Sequence, residues 1–169
     1  FVSGTSIGSS AVLQLSNGLV APNDSVECVA TVNDGFGDSN SAASSISVDN
    51  SAPVFAASSL SPDSPARTAA ITCSASASDI DGGTPNLSFT FSNQSTGAIY
   101  TITSSTAASA TLDLSTTSIQ LGEIVVCEIT ASDLHGGSVS TTETVTIVNS
   151  SPVFTSGASI SPNIGVYTG

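Results

Sequence analysis

The chain has 169 residues and carries thirteen Asp and Glu side chains against a single Arg and no Lys, which gives a formal net charge of −12. Such a surface repels the phosphates of nucleic acids and of anionic lipids, so neither is expected as a partner. Ser and Thr make up roughly a third of the residues, and no apolar run reaches membrane-spanning length. These features predict a secreted, extracellular segment that does not insert into a membrane.

The chain repeats itself at a constant offset of 99 residues. Residues 11–55 align with residues 110–154 without a gap, and 16 of the 45 pairs are identical. The aligned region closes on two similar hexapeptides, NSAPVF at 50–55 and NSSPVF at 149–154. A fixed period that preserves the spacing of apolar residues indicates one structural unit used more than once.

The offset divides the chain into three predicted parts. Phe1 aligns with Tyr100, in the middle of a unit, so residues 1–49 are expected to be the C-terminal half of a unit. Residues 50–149 form a complete unit, long enough to bury a core. Residues 150–169 are expected to begin a third unit or to act as a donor strand. The first half-unit cannot bury a core alone, so we expect further sequence or a neighbouring chain to complete it.

Seven short β-rich segments follow one another in the complete unit, and none shows helical periodicity. Val, Ile, Thr and aromatic residues favour strands, whereas Gly, Pro and Asp mark the connections. The pattern predicts an all-β fold, an antiparallel sandwich of the immunoglobulin-like kind. The predicted strands cover residues 53–60, 67–77, 86–91, 98–103, 110–115, 123–131 and 138–148.

Two cysteines, Cys73 and Cys127, lie on the second and sixth predicted strands, 54 residues apart. In an immunoglobulin-like sandwich these strands belong to opposite sheets, and their inward side chains can form a disulfide. The alternative is a pair of reduced core cysteines, as in a cytosolic domain; the secreted composition favours the disulfide. Cys28 aligns with Cys127, so its partner is expected upstream of residue 1.

The segments AITCSASASDIDGGTPNLSFTF and GEIVVCEITASDLHGG resemble the disulfide-bonded immunoglobulin-like repeats found in tandem in very large bacterial surface proteins. The loops ASDIDGG and ITASDLHGG and the closing TVTIVNSSPVF are also similar to cadherin-type repeats. The resemblance covers residues 50–149 and both partial units. Two features depart from cadherins, which lack this cysteine pair and carry several acids in the linker where this chain has VDNSAP and IVNSSP.

The acidic loops of the complete unit, together with the linker before it, form a candidate cation site. In such a sandwich the loop after the second strand and the loop before the last strand lie at the end where the chain enters the unit. Carboxylates and backbone oxygens suit Ca²⁺, and calcium stiffens this joint in the cadherins that the chain resembles. The alternative is that Asp and Gly are only turn residues here. The residues expected to converge are Asp49, Asn50, Asp79, Asp81 and Asp133.

Two further features are candidate sites. Four Asn-X-Ser sequons are candidates for N-glycosylation in a host that performs it. His135, the single imidazole, stands beside Asp133, but no nucleophile motif accompanies this pair and Phe36 occupies the equivalent position. We therefore expect no enzymatic activity and no cofactor other than calcium. The sequon asparagines are Asn23, Asn86, Asn93 and Asn149.

These observations predict a structural segment of an extracellular filament, sheath or cell-surface stalk. Sandwich units on short linkers make a stiff rod, and Pro53 and Pro152 limit the backbone after each joint. The expected partners are neighbouring units of the same chain or further copies of it, which could polymerise by strand addition at an open sheet edge. The alternative is an adhesin or recognition module that binds a glycan or a partner protein through its loop end, although aromatic residues are sparse and Trp is absent.

Overall fold

Alternating apolar side chains and closely spaced turn residues produce strands throughout the chain. The computed structural model describes residues 1–16, 18–102, 104–106 and 108–157. Ten β-strands and one turn of 3₁₀ helix, Leu114–Thr116, lie within these residues. The strands are β1 (Ser25–Asn33), β2 (Ser39–Ser47), β3 (Val54–Ser61), β4 (Ala70–Ser78), β5 (Asn86–Asn93), β6 (Ile99–Tyr100), β7 (Ser104–Thr106), β8 (Ser109–Asp113), β9 (Ile124–Ser132) and β10 (Ser138–Thr146).

Strands β3 to β10 form two four-stranded antiparallel sheets. One has the order β3-β4-β8-β7 and the other β10-β9-β5-β6. Both sheets contribute to one apolar core, an arrangement consistent with a β-sandwich. The prediction of an all-β, antiparallel fold is therefore confirmed. None of the described residues belongs to a helix with the length and hydropathy that crossing a membrane requires.

Period-two alternation places the core residues. Along β4, Ile71, Cys73 and Ala75 are buried while their neighbours face outward. On the opposite sheet, β9 alternates in the same way. Burying each large aliphatic or aromatic side chain stabilises the fold by about 1.5–3 kcal/mol. The largest fully buried apolar side chains include Phe91, Ile71, Leu112, Leu114, Ile119, Ile129 and Ile147.

A disulfide connects the two sheets. Cys73 on β4 and Cys127 on β9 are joined, and both are fully buried. The predicted pairing of these two cysteines is thus confirmed, and the alternative of reduced core cysteines is not what the structure contains. Cys28 is a free, exposed cysteine.

The structure differs from the predicted strands where the segments are shortest. The strand expected over 98–103 is reduced to β6, two residues long; residue 103 lies outside the described residues. The strand expected over 110–115 ends at Asp113, because the Asp113 carboxylate accepts from the N–H of Ser115 at 2.9 Å and begins the 3₁₀ turn. β7 was not predicted.

β1 and β2 form a separate two-stranded hairpin that matches the β9–β10 hairpin. Each of the nine β1–β2 residue pairs recurs as a β9–β10 pair 99 residues later. The hydroxyls of Thr31 and Ser41 are 2.9 Å apart across the first hairpin, and those of Thr130 and Ser140 are 2.8 Å apart across the second. The aligned sequences therefore adopt the same local structure.

The loops that close the two hairpins are also alike. Asp34 Oδ1 accepts a hydrogen bond from the N–H of Phe36 at 2.8 Å, and Asp133 Oδ1 accepts one from His135 at 2.7 Å. Such a bond from a side chain to the backbone two residues on is an Asx turn, which Asp forms readily. The shared aspartate thus fixes the shape of both loops.

Candidate functional site

The linker between β2 and β3 meets two loops at one end of the four-stranded sheets. These are the β4–β5 loop, residues 79–85, and the β9–β10 loop, residues 133–137. Both loops leave their strands at the same end, which is also the end where the linker arrives. We call residues 50–53 and these two loops the joint.

Two hydrogen bonds fasten the linker to the loops. Asn50 Nδ2 donates to Asp133 Oδ2 at 2.9 Å, and the backbone N–H of Ser51 donates to Asp81 Oδ2 at 2.5 Å. Pro53, which follows, is buried. Each loop therefore holds one linker residue through a carboxylate, and the direction in which the chain enters β3 is fixed.

Asp79 and two glycines shape the β4–β5 loop. Asp79 Oδ1 accepts from the N–H of Asp81 at 2.8 Å, a second Asx turn. Gly82 and Gly83 follow with φ angles of 93° and 83°, in the left-handed region that glycine adopts without steric strain. The turn presents the Asp81 carboxylate to the linker.

Gly137 allows the linker to approach the β9–β10 loop. A Cβ atom at this position would overlap Asp133 Oδ2 and would lie 2.7 Å from Asn50 Nδ2 and 3.0 Å from Ala52 Cα. The absence of a side chain is therefore what lets the Asn50–Asp133 bond form. The residue at the equivalent place in the first hairpin is Asp38.

Hydrogen bonds at the joint shift the pKa of Asp133. The hydrogen bond from Asn50 holds the pKa of this carboxyl below its ordinary value of 3.8, against an opposing effect of desolvation. Backbone N–H groups of the same loop lower the pKa further, including that of Gly137 at 2.9 Å. Because every one of these donors favours the charged form, Asp133 serves as an anionic anchor for both its loop and the linker.

The structure brings together four of the five residues predicted to converge. Asp79, Asp81 and Asp133 line one depression between the loops, and Asn50 is bonded to Asp133. Asp49 is exposed and is not among the residues that line this depression.

The oxygen atoms of the joint are of the chemical type that binds Ca²⁺, but too few carboxylates are placed together in the described part of the chain to hold the ion. Asn50 Oδ1 and Asp79 Oδ2 are buried and lack a hydrogen-bond partner, and both are hard oxygen ligands of the type that Ca²⁺ prefers. Among the described residues, however, no group of three or more His, Cys, Asp or Glu side chains is placed to hold one metal ion. Calcium at the joint therefore stays a prediction.

The Asp133–His135 pair is arranged as a turn. Asp133 Oδ1 accepts from the backbone N–H of His135, and Asp133 Oδ2 accepts from Asn50. Both carboxylate oxygens are thus engaged with the backbone or the linker, and the His135 side chain is exposed on the loop.

The sequons differ in accessibility. Asn93 is only 2% exposed, its Nδ2 donates to Glu123 Oε2 at 2.8 Å, and its Oδ1 accepts from the N–H of Ser95. A glycan on Asn93 is incompatible with this packing, so its prediction as an acceptor is corrected: the residue closes a turn. The three exposed sequon asparagines are Asn23, Asn86 and Asn149.

The bond between Asn93 and Glu123 is a structural feature that the sequence analysis missed. Glu123 Oε2 also accepts from the N–H of Gln120 at 2.8 Å, so this carboxylate ties the β5 end to the loop before β9. A partial signal was present, because Asp24 aligns with Glu123 and likewise accepts from the N–H of Ala21 at 2.8 Å.

Apolar residues from the segment before the linker also lie against the joint. Leu15, Val20 and Pro22 lie with Val48 around a depression that Asp81 also lines. The β4–β5 loop therefore meets both the linker and the segment before it.

Compared with known proteins, the sequence matches no protein-family model and no curated protein.

Proposed function

We propose that the chain is a structural segment of an extracellular rod, in which immunoglobulin-like units of about 100 residues are joined end to end, as in a filament, sheath or cell-surface stalk. The observation that carries the proposal is the joint. A rod transmits force or maintains distance only when the angle between consecutive units is restricted, and here the linker is bonded to both loops that it passes.

Anchoring of the first strand supports the same function. Pro53 is buried, and Phe55, two residues further on, packs against the core. In the second copy of the hexapeptide, Phe154 is 95% exposed. A phenylalanine that is partly buried against a core in one copy of the hexapeptide and exposed in the other suits a segment in which each copy opens a unit.

Strand order supports the immunoglobulin-like assignment. The order β3-β4-β8-β7 facing β10-β9-β5-β6 corresponds to the A-B-E-D and G-F-C sheets of that fold, extended by one edge strand. The disulfide joins the strands equivalent to B and F, as it does in antibody domains. The repeated hairpin favours more than one such unit in the chain.

The extracellular assignment rests on the disulfide and the composition. Structural disulfides persist in oxidising compartments and are rare in reducing ones. The Cys73–Cys127 bond is fully buried, as expected of a structural bond. A surface with thirteen acidic residues, one basic residue and many hydroxyls suits a solvated extracellular segment.

The alternative, a recognition module, draws on the exposed apolar residues of the loops. Phe36 and Leu134 occupy neighbouring positions in the two equivalent hairpin loops and are 95% and 96% exposed. A partner protein that docks on these tips would bind through apolar contacts. Substitution of Leu134 by Ser separates the two functions, because it abolishes such docking and leaves the rod unchanged.

Electron microscopy of the native material tests the structural proposal. We expect rods or filaments with an axial repeat commensurate with one or two units. Flexible chains with no preferred angle between units would overturn the proposal. Beaded rods that end in a distinct globule would support the rod proposal and would assign any adhesive function to the globule at the tip.

A further inference from the structure

The inner face of the β1–β2 hairpin is apolar and exposed, although its equivalents in the β9–β10 hairpin form the core. Ile46 is 69% exposed, whereas its equivalent Val145 is 4% exposed. Val32 is also 69% exposed, and its equivalent Ala131 is fully buried. Cys28 is exposed whereas Cys127 is fully buried. Ahead of the hairpin, Leu13 and Leu15 are 38% and 37% exposed, whereas their equivalents Leu112 and Leu114 are fully buried.

The outer edge of β1 is largely unpaired as well. In the complete unit β5 pairs with β9 along its whole length. Among the described residues, β1 pairs with β2 on one side and, on the other, only with the chain start. That pairing consists of a Val2–Val26 bridge, a bond from Glu27 N to Phe1 O at 2.9 Å and a bond from the Phe1 amino group to Glu27 O at 2.6 Å. Unpaired strand edges recruit strands.

We propose that this face and edge bind a polypeptide segment of the same kind as residues 51–93, whose cysteine at the position of Cys73 bonds to Cys28. The inference rests on the proposed function, because it assumes a second unit of the same type. It identifies the partner of the hairpin: a strand like β5 along the edge of β1, and a strand like β4 across the apolar face.

The described part of this chain does not itself supply the segment. Within this chain, residues 54–93 are already paired in the two sheets of the complete unit. In a second copy, the described strands that lie outside the two four-stranded sheets are β1 and β2, and this hairpin offers no cysteine other than Cys28.

The first test is disulfide mapping of the native full-length protein without reduction. Peptides are cut by a protease specific for Asp and Glu, because Lys is absent, and are identified by mass spectrometry. We expect Cys28 in a bond to a cysteine outside residues 1–169. A free Cys28 thiol, or a bond between two Cys28 residues, would overturn the proposal.

The second test supplies the missing segment. A copy of residues 50–99 is joined directly ahead of Phe1, and alkylation of Cys28 is compared with that of the 169-residue chain. We expect one reactive thiol per chain without the added segment and none with it. A matched variant carries Cys73→Ser in the added copy only; here Cys28 stays a thiol, and its alkylation slows by at least about 100-fold because the face is covered.

These tests can contradict the inference about Cys28 without contradicting the proposed rod function. Unchanged alkylation in the matched variant would show that the added segment does not cover the face, whatever the microscopy shows. Rods seen by microscopy together with a free Cys28 would retain the proposed function and remove this inference alone.

Discussion

Asn50 and Asp133 lie 83 residues apart in sequence, and their side chains meet at 2.9 Å where the linker enters the four-stranded sheets. The bond joins a residue that belongs to neither sheet to the loop between β9 and β10. It therefore constrains how the preceding segment is oriented, while the core of the unit does not depend on it.

Replacing Asn50 with Ala should loosen the linker without unfolding the unit. The variant removes the donor to Asp133 and leaves the bond from Ser51 to Asp81 in place. We expect small-angle X-ray scattering to show a broader distribution of maximum dimensions, with an unchanged thermal transition of the disulfide-bonded unit. Asn149→Ala is the matched control, because Asn149 is the equivalent linker residue and its side chain is exposed. A scattering profile identical to that of the control would contradict the role of the bond.

The Asn50–Asp133 hydrogen bond should also lower the pKa of Asp133. Its pKa is lowered chiefly by Asn50, so in Asn50→Ala we expect the pKa to rise toward its ordinary value of 3.8. A carboxyl with a lowered folded pKa stabilises the joint above the unfolded pKa and loses this contribution as pH falls through the folded value. The Asn50–Asp133 contact should therefore persist at neutral pH and weaken only below pH 3.8.

Carboxyl chemical shifts measured by NMR test this titration. Asp113 is the internal reference, because its pKa is lowered mainly by Ser115 and not by the linker. An Asp133 titration that does not move in Asn50→Ala, or that moves together with Asp113, would contradict the assignment.

Gly137→Ala should open the joint by steric overlap. The new methyl group would meet Asp133 Oδ2 and lie 2.7 Å from Asn50 Nδ2. We expect a loss of about 1–3 kcal/mol in the free energy of unfolding, the usual range for overpacking. Gly18→Ala is the control, since nothing lies within 4 Å of a Cβ there. Equal denaturant midpoints for the two variants would show that the linker can move aside without cost.

The sequence predicted structure best where the pattern of neighbouring residues alone determines which side chains are buried. Period-two alternation was enough to predict the long strands. The disulfide was predicted from the places of Cys73 and Cys127 in an immunoglobulin-like sandwich together with the secreted composition. β6 and β7, with two and three residues, are decided by local turns and neighbouring strands, so no periodicity could reveal them. Asn93 matched a glycosylation motif by its neighbours, whereas its burial depends on Glu123, 30 residues away.

The candidate site was only partly predictable for a similar reason. Sandwich topology places Asp79, Asp81 and Asp133 at one end, and this could be inferred from strand order alone. Which carboxylate oxygen accepts from which linker atom depends on backbone turns and on the close approach at Gly137, and neither leaves a pattern in the sequence.

Removing the disulfide should strongly destabilise the two four-stranded sheets formed by β3 to β10. Cys73 and Cys127 close a loop of 54 residues, which corresponds to about 4 kcal/mol in the loop-entropy description. We expect a Cys73→Ala, Cys127→Ala variant to lose stability of that order in denaturant unfolding. In the 169-residue chain, Cys28→Ala serves as the control and should leave the midpoint unchanged, because Cys28 is exposed and unbonded there. A loss below about 1 kcal/mol would mean that the core alone specifies the unit.

A calcium ion that binds at the joint should raise the melting temperature of the chain. Asn50 Oδ1 and Asp79 Oδ2 are buried without a donor, so a cation that contacts them relieves an electrostatic cost. Binding at ten times the dissociation constant adds about 1.4 kcal/mol, equivalent to several degrees in a unit of this size. The Asp79→Asn, Asp81→Asn variant should lose the rise, while Asp63→Asn, an exposed carboxylate outside the joint, should retain it. A rise that survives in the double variant would place any bound calcium elsewhere, and no rise in the unaltered chain would leave the joint held by its hydrogen bonds alone.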